Sequence, residues 1–397
     1  MRIVRLANFV TPTSGGLRTS LQHLGEGYTA AGHEPVLVIP GVRAGDEMTD
    51  AGRVITLPGL AVPGTGGYRL LIGTGRVAAL LARLRPDRLE VSDRTTLRWT
   101  GAWARRHGVP SLMVSHESLA GLLDVWRLPP KRAAAIADRL NGRTAAAFDT
   151  VVATTEWAAA EFRRIGATNL RRVPLGVDLD AYHPSRRSPA LRRTLAGDDE
   201  LLLVTVSRLS PEKRPDRTLD ALAALRAAGV RATLAVAGDG PLLGALRERA
   251  DGLPVRFLGF LRDRREVATL LATADVVIAP GPVETFGLAA LEALASGTPA
   301  VVDAASALPE VVGAAGVAVT GADFAAGVRE VLSRPAAQCR AAARARAELF
   351  GWSDSAAGFL AAHGLAEGGV VLPGQRRPAA ALGDGRPVDG AMGPAVA

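Results

Sequence analysis

Two carboxylates, Glu284 and Glu292, stand eight positions apart within residues 280–299, a stretch that also holds Thr285-Phe286-Gly287-Leu288. Residues 274–279 ahead of it read as a short buried strand. From residue 286 to 295 the chain is rich in Ala, Leu and Glu, which favour helix, and Gly297 and Pro299 mark its stop. The expected unit is strand, restrained turn, helix. The first N–H groups of a helix lack intrahelical partners and carry the positive end of its dipole, so they attract anions. A phosphate would meet the amides of Phe286, Gly287 and Leu288, while Glu284 and Glu292 accept bonds from hydroxyls. A sugar and a ribose on either side of a diphosphate fit that layout. The bare spacing also fits an ordinary helix start with two solvated glutamates.

Other residues could serve the same ligand. Arg208 ends an apolar, strand-like run and Lys213 follows five residues on, across a proline. Arginine offers a planar fork and lysine a mobile point charge, and together they could grip a diphosphate from one side. A solvated basic loop is the competing account. Gly15 and Gly16 sit between a first strand (residues 2–9) and a helical repeat of Leu17, Leu21, Leu24 and Tyr28, where backbone can approach a ligand closely. The dinucleotide fingerprint G-x-G-x-x-G is missing there. His116 follows a strand at residues 111–115, the edge at which open α/β sheets bind ligands, although a lone histidine more often satisfies a local loop. Asp178 and Asp180 spell D-x-D without a third acidic or histidine ligand nearby in sequence, and are not read as a metal site.

The E-x7-E spacing with its Phe-Gly-Leu core resembles the signature of the retaining glycosyltransferases of family 4. With the Gly15-Gly16 pair, the R-x-x-x-x-K of Arg208 and Lys213, and Pro174-x-Gly176-Val177-Asp178, the resemblance covers most of residues 1–363. It implies an α/β chain of the GT-B class, two doubly wound Rossmann-like domains facing a central cleft. It implies transfer of a hexose, mannose or glucose, from a nucleoside diphosphate sugar to a lipid or glycan acceptor, with retention at the anomeric carbon. GDP-mannose and UDP-glucose are the donors left open, and no metal cofactor is required. Glu284 would hold sugar hydroxyls and Glu292 the ribose. Arg208 and Lys213 would neutralise the leaving diphosphate, and Gly15 and Gly16 would lie close to it. His116 would position the transferred sugar and stabilise charge. Phe260, beyond a strand at residues 255–260, would lie near the base.

These residues need a scaffold. A chain of 397 residues, 48% apolar and 22% charged, is a soluble globular composition long enough for two domains. Alternating strand and helix patterns suggest residues 1–180 as an acceptor-side domain, 181–197 as a polar linker and 198–350 as the nucleotide-sugar domain. Residues 351–366 would form a helix crossing back to the first domain, and the Gly-, Pro- and Ala-rich residues 367–397 a disordered tail. Residues 41–75, rich in Gly and Pro, read as a long connection beside the cleft.

The lone Cys339 fits a reducing compartment, and no apolar run approaches bilayer length. A cytoplasmic protein is expected, peripheral on the inner face of the plasma membrane if its acceptor is a lipid. The net charge is +8, while an aromatic content of 4% leaves few platforms for stacking nucleic acid, so no nucleic-acid partner is expected. Residues 126–143, with Arg127, Lys131, Arg132, Arg139 and Arg143, fit a basic helix on an anionic membrane surface as well as an ordinary charged face. Three rivals remain. A UDP-sugar-dependent transferase could act on a small-molecule acceptor. A nucleotide-sugar-binding protein without turnover should have lost His116 or Glu284. A Rossmann oxidoreductase or epimerase should carry the missing glycine fingerprint.

Overall fold

The computed structural model describes residues 1–10, 15–62, 67–125 and 128–365. Its first sheet is built from β1 (Arg2–Leu6), β2 (Glu34–Gly41), β3 (Gly45–Thr49) and β4 (Gly52–Pro58). A small hairpin follows, β5 (Leu60–Ala61) and β6 (Arg69–Leu70), and then β7 (Arg88–Val91), β8 (Ser111–Ser115), β9 (Thr150–Ala153) and β10 (Leu170–Arg172). The second sheet holds β11 (Leu201–Val206), β12 (Ala232–Ala237), β13 (Val255–Gly259), β14 (Val276–Ala279), β15 (Ala300–Asp303) and β16 (Gly316–Val319).

The eight strands of the first sheet run in the order β10-β9-β8-β7-β1-β2-β4-β3, and all pairs are parallel except β3 with β4. The six of the second run β13-β12-β11-β14-β15-β16, all parallel. Parallel strands covered by helices on both faces need continuous apolar runs rather than alternation. Ala232–Ala237, buried at every position, shows this directly. Each sheet reverses its winding once, between β1 and β7 in the first lobe and between β11 and β14 in the second. Chain leaving neighbouring strands there diverges and opens a crevice at their carboxyl ends.

One apolar cluster runs through both lobes, joining Ile3, Leu24 and Val152 of the first to Val204, Phe286 and Leu291 of the second. The helix Trp352–Ala362 packs on the first lobe's helix Gly16–Ala30, with the His23 and Trp352 rings stacked at 4.8 Å. Beneath that contact lies a dry polar knot. Glu90 accepts from Arg5 Nε at 2.8 Å and from the Tyr28 hydroxyl at 2.7 Å, with His363 Nε2 at 3.2 Å. Burial alone would raise the Glu90 carboxyl, but Arg5 and His363 outweigh it and hold the group well below the usual carboxylate range.

Two expectations change. Residues 41–75 are not a bare connection: β4 extends the main sheet beside β2, β3 edges it, and β5 pairs with β6. Residues 181–197 are more than a polar linker, because they hold the short helix Pro189–Leu195, whose Leu195 is buried and whose Arg192 pairs with Asp275 at 2.6 Å. The basic segment forms the helix Pro130–Ala147, with Ala133, Ala137, Asn141 and Thr144 inward and Lys131, Arg132, Arg139 and Arg143 exposed. Trp126, Arg127 and the proposed tail, 367–397, lie outside the described residues. Among those described, no helix is long and apolar enough to cross a membrane.

Candidate functional site

The chain leaving β14 makes the turn that carries Glu284, and the helix after it is Leu288–Ala295. It begins two residues later than its composition suggests because Gly287, its N-cap, is left-handed at φ 81°. A β-carbon there would come within 2.0 Å of Leu308 Cδ2, so both the backbone and the space demand glycine. The N–H groups of Leu288 and Ala289 therefore open the helix without intrahelical partners. Phe286 is not exposed to a ligand: its ring is 3% exposed and meets Phe350 edge-on at 6.1 Å. Burial of such a ring contributes about 3 kcal/mol and anchors the turn, leaving only its backbone for binding.

Two positive groups converge on this turn from the chain after β11. Lys213 Nζ donates to Glu284 Oε1 at 2.6 Å, with both side chains partly exposed. Arg208 donates to Glu212 at 2.8 Å and lies 5.1 Å from the Tyr68 ring of the first lobe. Glu292 sits one turn into the helix Leu288–Ala295. Burial raises its carboxyl to about 7, against the hydrogen bond from Tyr182 and the charge of Arg264. Arg264 also crosses to the first lobe, donating to Thr19 Oγ1 at 2.8 Å and approaching His23 at 3.2 Å. Phe260 stands 41% exposed at the end of β13.

The first lobe presents the ends of β1, β7 and β8. Gly16, at the start of its helix, comes so near the second lobe that a β-carbon would touch Leu288 Cδ1 at 3.5 Å, and a larger side chain would fill the space at that helix start. Gly15 beside it faces open space. His116 follows β8, with Nε2 3.2 Å from Ser92 Oγ at the end of β7. Burial, assisted by Arg5 and Arg94 and opposed by Glu90, lowers its imidazole to about 4. That leaves the imidazole uncharged at neutral pH, able to offer a hydrogen bond but not a positive charge. Its loop is firmly held. Arg94 donates to the carbonyl of Glu117 and to Ser115 Oγ, and Glu161 accepts from Ser118, Leu119 and Ala120. Glu117 itself is shifted up by burial, with Arg94 and Arg208 pulling it back.

Glu284, Lys213, Arg208, Gly16, Leu288 and His116 thus converge where the carboxyl edges of both sheets meet. Thr285, directly after Glu284, donates its hydroxyl to the His116 carbonyl at 2.6 Å. Phe260 and the Phe286 ring do not join the group. Reading the sequence missed Tyr182, Arg264, Ser92 and Thr285. Thr285 lay inside the central motif without a role given to it, and nothing local flagged the other three. Asp178 is occupied in a turn, its Oδ1 accepting from the N–H groups of Asp180 and Ala181. Among the described residues, no three His, Cys, Asp or Glu are grouped to hold a metal.

Comparisons with known proteins bear on the same residues. The pattern of the family described as "Glycosyl transferases group 1" matches residues 188–348, and that of the "Glycosyl transferase 4-like domain" matches residues 15–177. A GDP-mannose-dependent alpha-(1-6)-phosphatidylinositol dimannoside mannosyltransferase of Mycobacterium tuberculosis is 52% identical over 373 residues, 92% of this chain and 96% of that one. A D-inositol 3-phosphate glycosyltransferase of Geodermatophilus obscurus is 35% identical over 310 residues, 70% of this chain and 68% of that one. Among solved structures, sucrose-phosphate synthase of Thermosynechococcus elongatus superposes with a TM-score of 0.72 at 21% identity, over 89% of this chain and 96% of the other. WaaG, a glycosyltransferase of lipopolysaccharide biosynthesis, gives 0.67 at 18% identity, over 92% and 100%.

Proposed function

The chain belongs to the group 1 glycosyltransferases with the two-lobed GT-B fold, and from that premise we propose that it transfers mannose from GDP-mannose to a mannosylated phosphatidylinositol lipid. The observation that carries this reading is the 52% identity, spread over nearly the whole of both chains, with the mannosyltransferase named for that donor and acceptor. In the proposed division of labour, residues 1–180 serve the acceptor and 198–350 the donor, with residues 351–366 returning to the first lobe.

The diphosphate would lie at the N–H groups of Leu288 and Ala289, close to Gly15 and Gly16. Lys213 sits 2.6 Å from Glu284, and a donor would draw it toward phosphate while Glu284 turns to the sugar hydroxyls. Arg208 would leave Glu212 for the same anion. These fixed charges and amides stabilise negative charge as it grows on the leaving group, and the scheme uses no metal ion. Glu292 would accept from the ribose hydroxyls, and Phe260 would contact the base. As the bond from the anomeric carbon to the diphosphate breaks, the acceptor hydroxyl attacks from the same face. Its proton passes to the departing phosphate oxygen, which gives retention without a covalent enzyme intermediate. His116, neutral at working pH, would hold the sugar by a hydrogen bond beside that face.

The exposed arginines and lysine of the helix Pro130–Ala147 would rest on anionic lipid at the inner face of the plasma membrane, the surface at which such an acceptor is met. The test is to incubate purified protein with GDP-mannose and vesicles of phosphatidylinositol dimannoside in EDTA, then analyse the lipids by mass spectrometry and NMR. A gain of one hexose in α linkage is expected. Turnover only with UDP-glucose, only on a water-soluble acceptor, or only after divalent metal is restored would replace the corresponding part of the reading.

A further inference from the structure

We propose that Thr285 is a positioning residue that couples closure of the two lobes to the placement of Glu284 against His116. The proposal rests on the donor-site reading above and extends it to a residue whose polar atoms bond across the lobes. Thr285 follows Glu284 directly and is 9% exposed. Both its polar oxygens bond to the opposite lobe. Its hydroxyl donates to the His116 carbonyl at 2.6 Å. Its own carbonyl accepts from the Thr155 hydroxyl at 2.8 Å and, more weakly, from Thr154 at 3.3 Å. Those threonines directly follow β9, beside the strand that delivers His116, and are at most 2% exposed.

The consequence is geometric. Glu284 is fixed within its own lobe, since its carbonyl accepts the Ala307 N–H at 2.9 Å. His116 is fixed within the other by Ser92, at 3.2 Å, and by the tightly held loop that follows it. One residue then ties these two fixed backbones together. Closing the lobes therefore does more than bring two surfaces near: it sets the distance between the group proposed to hold the sugar's hydroxyls and the group proposed to face its reacting side. Placement errors of about 1 Å cost on the order of a hundredfold in rate. A buried hydroxyl–carbonyl bond resists such drift, because its acceptor would otherwise be left dry and unpaired.

A second contact between the lobes allows the tie to be separated from lobe adhesion in general. Glu310 accepts from the N–H groups of Glu156 and Trp157 at 2.6 and 3.3 Å, and from Arg172 at 3.0 Å. It joins the same lobes but touches neither His116 nor Glu284.

Steady-state kinetics with GDP-mannose and the dimannoside lipid, at full length, test the idea. Thr285→Val keeps the shape and removes the hydroxyl. Its kcat should fall about ten- to a hundredfold while donor KM stays within about twofold, and Thr285→Ser should restore most of the rate. Glu310→Gln should leave kcat within about twofold. Should the valine variant fail to fold, Thr285→Ala carries the same expectation. Unchanged kcat in Thr285→Val, no rescue by serine, or an equal loss in Glu310→Gln would overturn the proposal. Glu284→Ala, measured alongside, keeps the two readings apart. Activity there removes the donor-site reading, whereas an inactive Glu284→Ala beside a fully active Thr285→Val removes only the coupling.

Discussion

The two lobes share a winding pattern but divide the candidate site unequally. In the second lobe, the groups assigned to the donor's diphosphate and sugar come from the loops after β11 and β14, the two strands flanking its switch point. Arg208 and Lys213 lie in one loop, Glu284 and the helix-start amides in the other. In the first lobe, the corresponding half is assembled from the ends of β1, β7 and β8, and it depends on Arg94 and Glu161 to hold it. In the same lobe, the end of β4, the chain after β6 and the start of the helix Thr74–Leu84 line an open pocket of about 350 Å³, walled by Leu57, Pro58, Leu71, Ile72, Arg76 and Val77. The lesson is one of division of labour. Groups that suit a diphosphate can be supplied by short local motifs, whereas the first lobe's share of the site, Gly16 and His116 included, is drawn from segments far apart in sequence.

Substitutions can break or sharpen that division. The largest effect should come from Glu284→Ala: transfer falls by about a thousandfold or more while GDP affinity, read by calorimetry, stays within a few fold. Lys213→Ala should weaken GDP binding roughly ten- to a hundredfold, the range for a lost charge-assisted bond. Unchanged affinity would move the diphosphate away from the second lobe's loops.

A smaller effect is expected from pH. Because burial raises Glu292 to about 7, its carboxylate form, the better acceptor for ribose hydroxyls, fills in as pH rises through that value. GDP affinity should climb a few fold between about pH 6 and 8, and Glu292→Gln should flatten the curve. Stability runs the other way. The folded chain keeps a proton that the unfolded chain releases near pH 4.5, so this group's contribution declines from there through about pH 7. The smallest change should follow Ile72→Ser, which raises the lipid acceptor's KM about threefold and leaves GDP binding untouched. Equal effects on donor and acceptor would erase the distinction between the lobes.

What could be read from the chain alone follows the same line. Glu284, Glu292, Arg208 and Lys213 stood out within strand–turn–helix patterns of about ten residues, but the ligand roles expected of them, like the two-lobed class, came mainly from the resemblance to glycosyltransferase family 4. The partners that set their properties are remote. Tyr182 reaches Glu292 from 110 positions away, Thr285 reaches His116 across 169, and Arg264 reaches Thr19 across 245. No local pattern announces such pairs. The start of the key helix was misplaced because Phe286 suits a helix well enough, whereas the left-handed turn at Gly287 and the pull of the core on the Phe286 ring decide the boundary. β4 was hidden for a related reason. Its Gly- and Pro-rich flanks suggest a loop, and only pairing with β2 makes Gly52–Pro58 a strand.

The seat of the helix Trp352–Ala362 has a further consequence for biosynthesis. That helix comes last among the described elements, yet it covers the helix Gly16–Ala30, the first of the described helices; Gly27 leaves room for Ala356, and the Arg88 guanidinium donates to the carbonyl of His363 at 2.9 Å. Until translation brings residue 363 within reach, the nascent first lobe carries an uncovered apolar groove and a buried-type carboxylate, Glu90, without its histidine. Folding of the first lobe therefore finishes only after the helix Trp352–Ala362 has been made. A first lobe expressed alone should be sticky and chaperone-dependent, whereas supplying the missing helix as a separate peptide should restore its solubility.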